Sequence, residues 1–201
     1  MGQKIFAKIQ KNKMKINLAA DIQPDSIVDG EGIRAVLWTQ GCPHKCPGCH
    51  NPITHDFDGG FIADVEELKN ELTNNMKYQD GITLSGGDPF MQISAVLEIA
   101  KHVKTLGKNV WAYTGFTFEK LIEISKKHPN MLELLNNIDV LVDGNFIESE
   151  KSYDLYYKGS RNQRIIDVAK SLENKEVVLV SKYAKEKTYN KLAEKKDYIF
   201  V

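Results

Sequence analysis

Three thiols stand within eight residues: Cys42, Cys46 and Cys49 in the stretch GCPHKCPGCHNP, which holds every cysteine of the chain. With spacing C-x3-C-x2-C, on a backbone bent by Pro43, Pro47 and Gly48, they can converge on one centre, so the chemistry on offer is metal ligation. Tetrahedral structural zinc takes four protein ligands, and His50, His44 or His55 stands near enough in sequence to be the fourth. An iron-sulfur cluster is the other choice: four thiolates close a four-iron cluster, whereas three leave one iron open for a substrate. Ordinary buried cysteines are a poorer account, because three at ligand spacing with none elsewhere is not a core pattern. An odd number of thiols in so short a span cannot build a disulfide framework, which implies a reducing, cytoplasmic setting.

Four further groups of residues have types suited to a site. SGGDP supplies Gly86 and Gly87, which let backbone approach a ligand closely, and Asp88, whose carboxylate suits a cation; the same word also reads as a strand-to-helix turn with Pro89 early in a helix. Tyr113 and Thr114, followed by Gly115, end another apolar run, either lining a pocket or as a satisfied buried tyrosine. Asp143 in VDG would hold a ligand hydroxyl or cap a turn. Arg161, Asn162, Gln163 and Arg164 are too polar for a core and belong to a site, a partner surface or a solvated loop.

These residues need elements that bring them together. Short apolar runs, IRAVLWTQ, GITLSGG, NVWAYTG, DVLVDG and EVVLVS, read as buried strands punctuated by Gly or Asp. Between them lie helical periodicities. One follows Asp64 as N-cap, with Glu67 placed for a capping box; one runs from Ile93 to Val103 and stops at Gly107; one follows Thr117 and is interrupted by Pro129. The alternation argues for parallel βαβ units and an α/β fold, as an open doubly wound sheet or all or part of a barrel. In either architecture the cysteines, Gly86–Asp88 and Thr114 fall at carboxyl ends of strands, where ligands bind.

The totals set bounds. A chain of 201 residues, 42% hydrophobic and 27% charged, suits one soluble domain over residues 1–201. The lysine-rich start, residues 1–15, reads as a frayed basic arm, with KINLAAD a possible strand; residues 169–201 form a C-terminal extension of no assigned role. Charge balances at 27 acids and 27 bases, so no basic field points to nucleic acid, and no apolar run is long enough for a membrane span. The start reads as lacking the apolar block and small-residue cleavage site of a secretory signal.

The cysteine loop after one strand and SGGDP at the end of the next resemble the radical S-adenosylmethionine (SAM) superfamily. DGEGIR, WTQGCPHKCPGCHNP, GITLSGGDPF, WAYTGFTFE, VLVDGNF and KGSRNQRIIDV, over about residues 20 to 168, resemble within it the activating proteins of anaerobic ribonucleoside-triphosphate reductases. The resemblance implies a partial (β/α) barrel, a 4Fe-4S cluster on Cys42, Cys46 and Cys49, and SAM chelated to the open iron. It implies that Gly86, Gly87 and Asp88 meet the methionyl ammonium, and that Gly48, Cys49 and His50 lie near the adenine. It also implies a SAM pocket lined by Tyr113 and Thr114, a ribose contact at Asp143 or a turn there, and a site or partner surface at Arg161–Arg164. The reaction implied is reductive cleavage of SAM to a 5'-deoxyadenosyl radical, driven by a reduced flavodoxin-like donor, and hydrogen abstraction from a glycine of the reductase large subunit. Where the superfamily often has an aromatic residue, this chain has Gly48, and Glu31 replaces the proline of DGPGIR. GEG also resembles 7-carboxy-7-deazaguanine synthase, a small-molecule radical SAM enzyme.

Overall fold

The computed structural model describes residues 13–183. Of the arm read over residues 1–15, residues 1–12 lie outside the described residues and Lys15 already opens a strand; of the extension read over residues 169–201, residues 184–201 lie outside them. Eight strands form one mixed sheet: β1 (Lys15–Leu18), β2 (Gln23–Ser26), β3 (Arg34–Thr39), β4 (Phe61–Asp64), β5 (Gly81–Gly86), β6 (Asn109–Tyr113), β7 (Val140–Asp143) and β8 (Arg164–Asp167). The order is β4-β1-β3-β5-β6-β7-β8, with β2 also on β3. The four central strands β3, β5, β6 and β7 are parallel, and the flanking pairs are antiparallel.

The α/β reading is therefore borne out, as a mixed sheet with a parallel centre. Its end strands β4 and β8 do not pair with each other among the described residues, so the sheet is open rather than a closed barrel. Helices α1 (Val65–Asn75), α2 (Ile93–Thr105), α3 (Phe118–Ser125), α4 (Pro129–Leu135) and α5 (Val168–Asn174) fill the connections. Their apolar stripes meet Leu37, Ile82, Leu84, Val110, Ala112, Leu141 and Ile166 in one continuous core. Burying each large aliphatic side chain contributes about 1.5–3 kcal/mol, so this face fixes the sheet.

Because strand side chains alternate, the opposite face carries the other parity: Arg34 and Val36 of β3, Thr83 and Ser85 of β5, Trp111 and Tyr113 of β6, and Val142 of β7. That face is polar and aromatic, and it is the one the site uses. Local signals held at the caps: Asp64 accepts from the N–H groups of Glu66 and Glu67, Thr117 from Lys120, and Gly107 has φ +71° after α2. The Glu67 side chain bonds Lys13 instead of closing a capping box. EVVLVS makes only a single bridge, Leu179 on Ile166, and KINLAAD does supply β1. The short polar β2, QPDS, and the edge strand β4 carry no periodic signal of their own; each is ordered by the strand beside it.

Candidate functional site

The cysteine loop leaves the C-terminal end of β3 and is tied back to its own far side. Gly41 N–H donates to Thr54 O at 2.9 Å, Cys42 N–H to His55 O at 3.2 Å, and Cys49 N–H to Cys46 O at 3.1 Å. Lys45 (φ +47°) and Gly48 (φ +71°) make the left-handed turns that fold it. A Cβ at Gly48 would also lie 2.8 Å from Glu148 Oε1, so a side chain there would meet backbone strain and have to displace Glu148.

Cys42, Cys46 and Cys49 are all free and half-buried. Burial pushes the Cys42 thiol up, against backbone N–H groups of His44 and Lys45 that favour the thiolate. The donor set fits an iron-sulfur cluster better than zinc. Three thiolates fall one short of the four protein ligands of a structural zinc site. In a cluster each thiolate meets a different iron.

Asp88 is the hub that holds this loop against the strand ends. It is 1% exposed, and its Oδ2 faces His44 Nε2 at 2.8 Å, Thr114 Oγ1 at 2.9 Å and Gly115 N at 3.1 Å. Its Oδ1 takes Phe90 N–H at 3.0 Å, and its own N–H donates to Gly41 O at 2.9 Å. Gly87 N–H reaches Thr39 O at 2.6 Å, and a Cβ on Gly87 would stand 2.4 Å from Gly41 O. Gly86, Gly87, Asp88 and Thr114 are thus brought beside the cysteines. The carboxylate of Asp88 is turned toward its own loop, and Thr114 toward Asp88.

A cleft of about 650 Å³ opens on the bare sheet face. Gly48 and His50 border it on the cysteine-loop side, Ser85 and Tyr113 on the sheet, and Tyr156, Tyr157 and Lys158 on the loop that follows β7. Ile27, Val28 and Tyr153, at 71%, 71% and 83% exposure, stand along it. Tyr113 is buried with its hydroxyl on Tyr157 O at 2.8 Å, and desolvation pushes its phenol far up, so it stays neutral. Behind the cleft Arg34 is fully buried, donating to Thr83 Oγ1, Glu31 O and Ile82 O at 2.7, 3.0 and 2.6 Å, with its guanidinium 5.3 Å from the Trp111 ring centre. Desolvation pushes Arg34 down to about 10. Sequence reading singled out neither Arg34 nor the Tyr156–Tyr157 pair; the only available signal was the tyrosine density of SYDLYYKGS.

Asp143 and the GSRNQR residues buttress this architecture. Asp143, 1% exposed, accepts from Phe118 N–H at 2.7 Å and pairs with Arg164, whose other side grips Glu119 at 2.8 and 2.9 Å. Gln163 Nε2 donates to Gly144 O and Asn162 Nδ2 to Asn145 O, bracing the turn after β7. Arg161 N–H bonds Glu150 O, and its guanidinium reaches Ser152 Oγ at 3.3 Å. None of these four lines the cleft, although the loop they hold does.

Residues 28–166 match a family model described as a 4Fe-4S single cluster domain. Anaerobic ribonucleoside-triphosphate reductase-activating proteins are similar over most of their length. That of Haemophilus influenzae is 36% identical over 149 residues, covering 71% of this chain and 92% of its own. Those of Escherichia coli K12 and Enterobacteria phage T4 are 35% and 34% identical, covering 70% and 72% of this chain and 92% and 90% of theirs. The crystal structure of QueE from Escherichia coli superposes on 52% of this chain and 54% of its own at 17% identity with a TM-score of 0.42, too loosely to bear on function. With its three cysteines on one loop at the end of a parallel strand, inside a matched 4Fe-4S domain, the chain belongs to the family of anaerobic ribonucleoside-triphosphate reductase-activating proteins.

Proposed function

We propose that the chain, acting as a single domain, is a radical SAM activase that installs a glycyl radical on the large subunit of an anaerobic ribonucleoside-triphosphate reductase. The observation that carries the reading is the placement of three free, half-buried thiols on a loop whose Gly48 and His50 open onto a cleft large enough for a nucleoside-sized ligand and a peptide segment. Cys42, Cys46 and Cys49 would hold a 4Fe-4S cluster. When bound, cluster and SAM supply reductive carbon-sulfur cleavage and the 5'-deoxyadenosyl radical that takes a hydrogen atom from a glycine Cα.

The protein's own residues bind, orient and exclude water. Backbone at Gly86 and Gly87 would meet the methionyl ammonium, while Asp88 fixes the cysteine loop beside it. Gly48, Cys49 and His50 offer backbone and a ring to the adenine, and Ser85 and Tyr113 wall the cleft from the sheet. Thr114 and Asp143 contribute by holding Asp88 and the start of α3. Arg161–Arg164 hold the loop that carries the far wall. A reduced flavodoxin-like protein is the electron donor in this reading, and the cytoplasm the compartment.

The test is anaerobic reconstitution with iron and sulfide, then incubation with SAM, reductant and the reductase. The expected result is about four irons per chain, methionine and 5'-deoxyadenosine as products, and a glycyl doublet in electron paramagnetic resonance. Replacing any one of Cys42, Cys46 or Cys49 by Ser should abolish all three signals, whereas His50→Ala should keep the iron. SAM cleavage without a doublet would overturn the activase reading, and bound zinc with no iron would overturn the cluster.

A further inference from the structure

The last described segment crosses back over β8 onto the bare face of the sheet. After α5 the chain turns at Lys175 (φ +58°), Asp167 N–H donates to Val178 O and Val180 N–H to Ile165 O, both at 2.9 Å. This seats Tyr183, 6% exposed, among the aromatic residues behind the cleft, with ring centres 5.6 Å from Tyr156, 5.3 Å from Tyr157 and 6.1 Å from Trp111. The Tyr183 hydroxyl donates to one carboxylate oxygen of Glu31, and the Lys182 ammonium meets the other. Glu31 thus offers one carboxylate to both groups. The match to the family ends at residue 166, and the Haemophilus relative is matched over 92% of its length but only 71% of this chain. The contact therefore joins a residue inside the matched region to a segment that lies beyond it.

We propose that Glu31 and Tyr183 form a latch that fixes the Tyr156–Tyr157 wall of the cleft, and that Tyr183 is thereby a positioning residue for the reductase segment that enters it. The inference rests on the activase reading. Tyr157 has φ +43°, a left-handed conformation that a bulky side chain holds only when its surroundings enforce it. Tyr113 grips its carbonyl, and Trp111 and Tyr183 clamp its ring edge-on at 5.4 and 5.3 Å. Glu31 and Arg34 lie at the start of β3, the end opposite the cysteine loop, so the latch shapes the cleft without touching the thiols.

A split in kinetics tests this on the reconstituted full chain. Tyr183→Ala should raise KM for the reductase about tenfold, with kcat and reductase-free SAM cleavage within about twofold of the parent. Tyr183→Phe and Glu31→Ala, which remove the latch bond and keep the ring, should each raise KM about threefold, with a matching change in Trp111 fluorescence in a Trp38→Phe background. Unchanged KM in both milder variants overturns the latch, and they decide the matter even where Tyr183→Ala fails to fold. Loss of SAM cleavage in proportion to the KM change overturns it too, since the residue would then support the whole fold. Failure of the parent protein to give a glycyl doublet would overturn the activase reading; a normal parent beside unaltered variants would overturn the latch alone.

Discussion

Asp88 shows how far a residue's type leads. An acid after two glycines at a strand end suits a cationic ligand, yet its carboxylate is surrounded by the His44 ring, the Thr114 hydroxyl and the N–H groups of Gly115 and Phe90. Those groups come from the cysteine loop, the turn after β6 and the turn before α2, so the carboxylate joins three segments at the cluster site. Charged hydrogen bonds of this kind contribute about 1.5–3 kcal/mol each, and leaving partners unpaired in a buried site costs more than the bond itself. Asp88→Asn should destabilise the apoprotein by about 2–3 kcal/mol in anaerobic urea unfolding, and should speed alkylation of Cys42 by a thiol reagent. Equal alkylation rates would mean that Asp88 does not hold the cysteine loop.

At the scale of elements, the C-terminal end of β5 is built to touch the loop after β3. Gly86 has φ +104°, a conformation unfavourable to any residue with a Cβ, and Gly87 packs its α-carbon against the Gly41 carbonyl. Gly87→Ala should lower the thermal midpoint and reduce the iron taken up on reconstitution to under about half, because the added methyl pushes Gly41, and with it Cys42, away from β5. Iron uptake equal to the parent would show that the loop accommodates the shift. The elements themselves were largely legible: strands β3, β5, β6 and β7 are apolar enough to stand out, and the caps at Asp64, Thr117 and Gly107 act locally. Strands β2, β4 and β8 were not, because half or more of their residues are polar or exposed and their order comes from a neighbouring strand's hydrogen bonds.

At the scale of the molecule, Arg164 ties β8 to the end of β7 through Asp143 and to the first turn of α3 through Glu119. The Arg164 fork holds the Glu119 carboxyl down to about 2, well below its ordinary 4.5. A depressed carboxylate contributes stability that is fully present above the unfolded value and is lost as pH falls through the folded one. The parent should therefore lose stability relative to Glu119→Gln between about pH 4.5 and about pH 2, with parallel curves above that range. The Glu119 side chain is 60% exposed, so solvent screening keeps the effect modest and added salt should shrink it. Urea midpoints across that pH range measure it, and parallel curves throughout would show that the pair is idle.

By itself the sequence determined which atoms are available: three thiols at ligand spacing, strand-end glycines, an α/β alternation and the caps that start helices, all of them signals written within a few consecutive residues. Tertiary structure alone decided that Asp88 braces the cysteine loop, that Arg34 is buried against Trp111, and that Glu31 meets Tyr183 across the fold. The physical reason is the same in each case. Hydrogen bonds, ring packing and desolvation act over a few ångströms in space, and the partners here stand 44, 77 and 152 residues apart in the chain, where no periodicity or spacing reaches.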